Sequence, residues 1–245
     1  MDQKRIVEVN GLSATFGNRR VLKDVAFNAY EGEVTVILGE SGSGKTTILK
    51  HLLGLYDIQE GYVSVLNRNI AELNETEQKQ LYLQMGVFYQ NGGLLNSLTV
   101  GENVSLPLEQ HTKISGEIIK RIVLTKLQMV NLVDVYDLYP SQLSGGMLKR
   151  AALARAMVMD PKLLFCDEPG AGLDPISLAS LDKLILNLRE QLGMSIVIIT
   201  HEVSSILRIA DRIIFIDKGE IIFKGELKKA LESNNKEVHE FFHIG

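Results

Sequence analysis

One short glycine-rich run restricts the fold of this chain more than any other feature. Residues 39–46 read Gly-Glu-Ser-Gly-Ser-Gly-Lys-Thr, which matches the phosphate-loop pattern GxxxxGK[ST]. The apolar, β-branched run 34–38 precedes it, and apolar residues at helical spacing follow it over residues 48–53. A strand, a glycine loop and a helix in this order predict an α/β phosphate-loop NTPase with a mostly parallel core sheet.

The chemistry of this run suits a nucleoside polyphosphate. Glycines let backbone N–H groups converge on the β-phosphate, and the start of the helix adds its positive dipole end. We expect Lys45 to reach the β- and γ-phosphate oxygens and the Thr46 hydroxyl to bind Mg²⁺. The candidate nucleotide-binding residues of the run are Gly39, Glu40, Ser41, Gly42, Ser43, Gly44, Lys45, Thr46 and Thr47.

Two further patterns predict the rest of the core. Residues 6–9 and 21–27 are rich in β-formers and enclose the turn-prone residues 16–18, which predicts an N-terminal antiparallel β subdomain. Residues 163–166 and 195–200 are buried-strand runs separated by a helical repeat of leucines and isoleucine. A strand, a helix and a strand imply a right-handed crossover and therefore parallel strands.

The remaining segments predict a hairpin and an inserted helical subdomain. Residues 212–217 and 220–224 flank a Lys-Gly turn and predict a closing hairpin, followed by a short amphipathic tail. Residues from about 91 to 160 lack strong strand runs, and their apolar spacing is helical. We therefore expect them to form a mostly helical subdomain inserted into the sheet core.

Composition limits the class of protein. Of 245 residues, 45% are apolar, and a chain of this length buries roughly three quarters of its unfolded surface. We therefore expect residues 1–245 to form a single globular domain. The net charge of −4 gives no positive field for nucleic acid, so no nucleic-acid partner is expected. The single cysteine, Cys166, excludes an internal disulfide and lies in an apolar run, where packing is expected.

Terminal sequence and hydropathy predict a cytosolic address. The first residues, Met-Asp-Gln-Lys-Arg, do not form a signal peptide, and no apolar stretch approaches the roughly 20 residues of a spanning helix. A membrane connection would then have to come through another polypeptide.

Two carboxylates follow the buried strand run 163–166. Asp167 and Glu168 stand where hydrated Mg²⁺ and an attacking water could each meet one carboxylate. Because adjacent strand residues point to opposite sides, we expect Asp167 to face the metal and Glu168 to act as general base. A surface turn ending in Asp-Glu-Pro is the alternative interpretation.

A glycine-containing run before a helical segment completes a resemblance to a known family. Residues 143–147 read Leu-Ser-Gly-Gly-Met and precede an alanine-rich helical segment. Alone, this pattern is more often an ordinary helix cap. Together with the phosphate loop and the paired carboxylates, it makes the chain resemble the ATP-binding subunits of ABC transporters over essentially its whole length. The resemblance implies that Ser144, Gly145, Gly146 and Met147 close over ATP bound to a second subunit, with Met147 replacing the usual Gln.

The same resemblance implies further site residues in the family's order. Gln90 is similar to the Q-loop glutamine that senses Mg²⁺ and the attacking water, so the implied metal ligands are Thr46, Gln90 and Asp167. Asp174 is similar to the D-loop aspartate, and His201 to the switch histidine that faces the γ-phosphate. Phe16 stands where Tyr usually stacks on adenine, with Val21 on the next strand. The alternatives are a polar residue at a strand end for Gln90, a strand-end histidine that caps local backbone for His201, and core packing for Phe16.

The resemblance also implies an assembly. Two copies of the chain would face head to tail with two ATP molecules between them, and an isolated chain would hydrolyse ATP slowly. A transmembrane permease would contact residues 91–110, which follow Gln90, so that the protein lies at the cytoplasmic face of the inner membrane.

The signature region most resembles the ATPases of Mla/Mce phospholipid-transport systems. This implies an MCE-domain lipid-binding protein and a small STAS-like regulator as further partners. An importer ATPase for a polar solute, or the ATPase of the cell-division machinery, is the alternative. A non-transport ABC ATPase is a remote third possibility, because such proteins usually carry coiled coils or two fused cassettes.

Overall fold

A computed structural model describes residues 3–244. Its strands are β1 (Arg5–Phe16), β2 (Arg19–Tyr30), β3 (Val34–Leu38), β4 (Glu60–Val65), β5 (Arg68–Asn69), β6 (Met85–Phe88), β7 (Leu163–Asp167), β8 (Ser195–Ile199), β9 (Arg212–Asp217) and β10 (Glu220–Glu226). Its α-helices are α1 (Lys45–Leu52), α2 (Glu75–Tyr82), α3 (Val100–His111), α4 (Gly116–Met129), α5 (Gly145–Ala156), α6 (Pro175–Leu192), α7 (Val203–Ile209), α8 (Leu227–Leu231) and α9 (Lys236–Ile244). None of the helices in this range is both long enough and apolar enough to span a bilayer.

The chain divides into two compact units. Of the described residues, the first unit contains 3–81 and 195–244, and the second contains Tyr82–Met194. In the first unit, β1 pairs antiparallel with both β2 and β4, and β4 pairs with β5, in the order β2-β1-β4-β5. This sheet is the predicted N-terminal antiparallel subdomain, enlarged by two strands that the sequence patterns did not indicate.

The phosphate-loop strand lies at the centre of the other sheet of the first unit. β3 pairs in parallel with β8 on one side and with β9 on the other, and β9 pairs antiparallel with β10. All five residues of β3 are buried, as are all five of β8. Strands covered on both faces read as continuous apolar runs, which is why the sequence identified both of them.

The second unit combines two parallel strands with four long helices. β6 pairs in parallel with β7, with Val87 opposite Phe165. A capping box between Thr99 and Glu102 starts α3, which fixes its first turn. Helices α3, α4 and α5 lie within residues 91–160, where the sequence predicts helices.

The predicted fold class is confirmed. The ribbon β1–β2, the strands β3, β7 and β8, the helices α1, α4 and α6, and the hairpin β9–β10 all form where the patterns placed them. The structure adds β4 and β5, which are short or partly exposed, so that their periodicity is weak. The position of the subdomain boundaries stays a prediction.

A half-buried ion pair joins strand β9 to the residue before β3. Arg212 Nε lies 3.0 Å from Glu33 Oε2, and both side chains are only 16% exposed. The Arg212 guanidinium also lies 4.4 Å from the centroid of the Tyr30 ring. Shielding from water makes such a pair costly to break, because removal of one partner leaves the other charge poorly solvated.

We therefore expect Arg212→Met to lower the free energy of unfolding by about 1–3 kcal/mol. Arg121→Met is the matched control, because Arg121 pairs with Glu117 while both side chains are 76% exposed, so that a loss of about 0.5 kcal/mol or less is expected. Urea unfolding followed by circular dichroism measures both. Equal losses of stability in the two variants would contradict the claim that the shielded Arg212–Glu33 pair is costlier to break than an exposed pair.

Candidate functional site

The phosphate loop packs its backbone tightly against the β9–β10 hairpin. Gly39 has φ 149°, and a Cβ built there would lie 2.0 Å from the Ile216 carbonyl oxygen. The Gly219 N–H, in the turn between β9 and β10, donates to the Ser43 carbonyl at 3.0 Å. Only glycine fits at position 39, so packing by itself requires the first glycine of the motif.

Lys45 is folded back over this loop. Its Nζ donates to the Gly39 carbonyl at 2.7 Å and to the Glu40 carbonyl at 2.8 Å, and the side chain is buried. These bonds hold the ammonium group beside the loop backbone. A phosphate entering the loop would therefore meet a cation that is already positioned.

Two features of the loop and a cavity beside it fit an anionic ligand. Gly44 is the N-cap of α1 and offers no side-chain cap, so the first turn of the helix presents backbone N–H groups without a side-chain acceptor at the cap. The Ser43 hydroxyl is buried without a hydrogen-bond partner in the described residues. A cavity of about 210 Å³ opens beside the loop, lined by Arg19, Arg20, Val21, Lys23, Glu40, Ser41, Gly42, Ser43, Asp217 and Lys218.

The candidate adenine-stacking residue is accessible. Phe16 ends β1 and is exposed, and its ring centroid lies 5.1 Å from that of Tyr56. Tyr56 is itself held by the His51 ring at 5.5 Å and accepts a hydrogen bond from Lys50 Nζ at 3.1 Å. Tyr56 thus supports one side of Phe16, a contact between residues 40 positions apart that no local pattern could reveal. Val21, half-buried, lines the cavity beside the phosphate loop.

His201 follows β8 in the first unit. Its side chain is exposed, and Nε2 lies 4.0 Å from Glu202 Oε1. The preceding Thr200 accepts a hydrogen bond from the Glu202 N–H through Oγ1 at 3.2 Å, which fixes the turn after the strand. The structure therefore places His201 at the carboxyl end of a strand adjacent to β3.

The two carboxylates of the second unit differ in backbone conformation. Strand β7 ends at Asp167, whereas Glu168 has φ 46°, in the left-handed region. Because Glu168 lies outside the strand, the alternation of strand residues does not determine how its side chain is directed relative to that of Asp167. The prediction that both are strand residues was wrong. The left-handed turn, closed by the Ala171 N–H donating to the Glu168 carbonyl at 3.1 Å, is what redirects the chain. Cys166 just before them is buried, and burial raises the pKa of its thiol.

Lys149, which is not one of the predicted site residues, is connected to both Gln90 and Glu168. Lys149 Nζ donates to the Gln90 carbonyl and lies 5.5 Å from the centroid of the Phe88 ring. Burial lowers the pKa of Lys149, and the nearby Glu168 carboxylate opposes that shift. Since Lys149 is 59 positions from Gln90 in the chain, only the tertiary structure identifies this contact.

The residues of the Leu-Ser-Gly-Gly-Met run begin α5. Ser144 is the N-cap, and its Oγ accepts a hydrogen bond from the Met147 N–H at 3.3 Å. A Cβ built on Gly145 or Gly146 would meet nothing within 4 Å among the described residues, and neither residue has a positive φ. Neither the packing nor the backbone conformation of this chain requires glycine here, which leaves room for close approach by another molecule.

Asp174 caps helix α6. Its Oδ1 accepts hydrogen bonds from the Ile176 and Ser177 N–H groups, each at 3.0 Å. Hydrogen bonds from the Ser177 side chain and backbone lower the pKa of this carboxyl group. The Asp174 carboxylate therefore stabilises the first turn of α6, and the residue stays exposed.

The chain is similar to several known proteins. The model of the ABC transporter family matches residues 22–171. A probable ribonucleotide transport ATP-binding protein, mkl, of Mycobacterium leprae is 37% identical over 96% of this chain and 68% of its own length. The intermembrane phospholipid transport system ATP-binding protein MlaF of Haemophilus influenzae is 35% identical over 97% of this chain and 90% of its own length.

An import protein and a solved structure are also similar. The methionine import ATP-binding protein MetN of Clostridium tetani is 36% identical over 91% of this chain and 70% of its own length. The dimeric post-hydrolysis state of the ATP-binding cassette MJ0796, bound to ADP and Pi, superposes with a TM-score of 0.81. It is 31% identical in sequence, with coverage of 90% of this chain and 98% of that chain.

Lys45 offers a direct test of the phosphate loop. We expect Lys45→Ala to weaken ATP binding by about 10–100-fold, because a buried, positioned cation beside the phosphates is lost. Lys224→Ala is the control, since Lys224 Nζ also donates to a backbone carbonyl, that of Ala26 at 2.9 Å, but lies on β10. Equilibrium binding of ATP to the purified variants measures the effect. An unchanged affinity in Lys45→Ala would refute the assignment.

Proposed function

Because the chain belongs to the ABC transporter family and is an ATPase of the ABC type, we propose that it drives phospholipid transport between the inner and outer membranes. The observation that carries this proposal is the signature run 143–156, whose Leu-Ser-Gly-Gly-Met start and alanine-rich continuation resemble Mla/Mce ATPases. The likeness to MlaF over almost the whole of both chains supports it.

Import of a polar solute is the second candidate. The similarity to MetN favours it, since its 36% identity is comparable with the 35% of MlaF. Overall identity therefore does not choose between the two substrates. The signature run 143–156 favours phospholipid as the substrate, because it resembles the Mla/Mce ATPases. We therefore propose lipid transport first.

ATP would bind mainly along the phosphate loop. The loop backbone and Lys45 would hold the β- and γ-phosphates, and the buried hydroxyl of Ser43 would gain an acceptor. Phe16, supported by Tyr56, would stack on adenine, since a phenyl ring offers the same π face as Tyr. Glu168 would accept the proton of the attacking water, and His201 would contact the γ-phosphate.

The proposed Mg²⁺ ligands are hard oxygen donors. Thr46 supplies a hydroxyl, Gln90 an amide oxygen and Asp167 a carboxylate, which is the donor chemistry that Mg²⁺ prefers. Among residues 3–244, no group of three or more His, Cys, Asp or Glu side chains forms a metal cluster. A few protein oxygens together with phosphate and water would suit this ion. When bound, it would neutralise phosphate charge during transfer.

A second copy of the chain would complete each ATP site. Gly145 and Gly146 leave open space at the start of α5, where backbone N–H groups could approach a γ-phosphate. Ser144, Met147 and Asp174 would lie at the same contact. The dimeric state of MJ0796 supports a dimer, and we propose that its two copies face head to tail.

Energy transfer would require membrane partners. We propose a transmembrane permease that contacts residues 91–110, an MCE-domain lipid-binding protein and a small STAS-like regulator, with this chain at the cytoplasmic face of the inner membrane. The names of MlaF and mkl, which describe transport systems, support a transport assembly.

Glu168 tests the hydrolysis step. We expect Glu168→Gln to slow ATP turnover by about 10²–10⁴-fold while ATP binding persists, because the general base is lost and the shape is kept. Glu117→Gln, the same change on the exposed face of α4, serves as control. Phosphate release and ATP binding are measured on both. Turnover near that of the wild type would remove Glu168 from this role.

The same variant tests the substrate. Tagged Glu168→Gln protein is purified from detergent-solubilised membranes with ATP, and co-purifying proteins and lipids are identified by mass spectrometry. A permease with an MCE-domain protein and bound phospholipid is expected. Recovery of a solute-binding protein would replace lipid with a polar solute and leave the ATPase unaffected.

A further inference from the structure

Two cationic side chains of helix α5 donate hydrogen bonds to residues 90–93. Arg155 Nη1 donates to the Gly93 carbonyl at 2.5 Å, and Nη2 donates to the Gly92 carbonyl at 3.0 Å. Lys149 donates to the Gln90 carbonyl. Three carbonyls within four consecutive residues are thus bound by charged donors from one helix. Charge-assisted bonds are about twice as strong as neutral ones.

The segment is shaped for this contact. Gly92 and Gly93 both have left-handed backbones, with φ values of 73° and 63°. A Cβ on Gly92 would lie 3.1 Å from the Ala152 Cβ of α5, and a Cβ on Gly93 would lie 3.0 Å from Arg155 Nη2. Two adjacent glycines therefore permit both the turn and the close approach to α5.

The far end of the segment is fixed by one buried amide. Asn103 of α3 accepts a hydrogen bond from the Leu95 N–H at 2.7 Å and donates to the Leu95, Leu98 and Thr99 carbonyls at 3.0, 3.1 and 2.9 Å. The residue is fully buried. Residues 90–99 are consequently held at one end by α5 and at the other by α3.

The cations of α5 are costly to leave without acceptors. Arg155 and Lys149 are both half-buried, and this burial lowers the pKa of each. A donor shielded in this way loses more when its acceptor is removed than an exposed one does. The contacts are therefore unlike those of solvated surface lysines.

We propose that Lys149 and Arg155 are positioning residues that fix residues 90–93 on α5, so that the helix start at Ser144 and the segment after Gln90 move as one body. The inference rests on the proposed function, since it gives the segment a role in relaying the nucleotide state to a membrane partner. Arg155 holds the two glycines, and Lys149 joins Gln90 to the region of Glu168.

Hydrogen exchange tests the contact without relying on transport. The amides of Gly92 and Leu95 are suitable probes, because they donate to the Tyr89 carbonyl and to Asn103 Oδ1, each at 2.7 Å. In the purified full chain, Arg155→Met should speed exchange in peptides covering residues 89–96 by about tenfold or more. Lys149→Met should do the same near Gln90. Unchanged exchange in both variants would overturn the proposal.

Arg150 provides a matched control on the same helix. It donates to the Val130 carbonyl at 3.2 Å and to Ser180 Oγ at 2.9 Å, away from residues 90–93. Arg150→Met should leave exchange at residues 89–96 unchanged while speeding it near Val130. Faster exchange at 89–96 in this control would show general loosening of α5 and would contradict a specific contact.

Kinetics separate positioning from a structural role. Arg155→Met should lower kcat about tenfold with KM for ATP changed less than about twofold, because the phosphate loop is untouched. Arg155→Lys, which keeps the charge but not the two-pronged donor, should recover part of kcat. A rise in KM alone would overturn the proposal. If the wild-type chain does not hydrolyse ATP, the proposed function fails, whereas the exchange experiment still decides the contact.

Discussion

Close backbone packing between the phosphate loop and the β9–β10 hairpin is the constraint on which the nucleotide site depends. The Ile216 carbonyl occupies the space where a side chain at Gly39 would begin, and the Gly219 N–H holds Ser43. Gly219 in turn approaches the Val21 carbonyl so closely that a Cβ there would lie 2.3 Å away. Strand β2, the loop and the hairpin therefore fix one another, and the cavity beside the loop is a product of that packing.

Helix starts carry several of the candidate residues, and their capping differs. Helix α1 begins after Gly44 with no side-chain cap, so the phosphate loop leaves its first turn to an external anion. Helices α5 and α6 begin with Ser144 and Asp174, whose own oxygens accept backbone N–H groups. The first arrangement favours ligand binding within the chain. The other two stabilise exposed helix starts that a second molecule could approach.

Helix α5 connects the functions assigned to the second unit. Its twelve residues begin at the signature run, bind the segment after Gln90 through Lys149 and Arg155, and bring Lys149 near Glu168. A rigid helix can carry a displacement at one end to the other, provided that its contacts hold. In the proposed assembly, this arrangement would relay a change at the ATP site to residues 91–110, which the permease would contact.

The sequence by itself determined the fold class and the candidate residues, because buried parallel strands, glycine loops and helical repeats leave periodic or fixed-spacing signals. It did not indicate the short strands β4 and β5. It also treated Glu168 as a strand residue, whereas β7 ends at Asp167 and Glu168 has a left-handed backbone. Only the tertiary structure decided the contacts of Tyr56, Asn103, Lys149 and Arg155. Most of these contacts join residues far apart in the chain. A single polar or aromatic side chain has no periodic pattern from which its contact partner could be predicted.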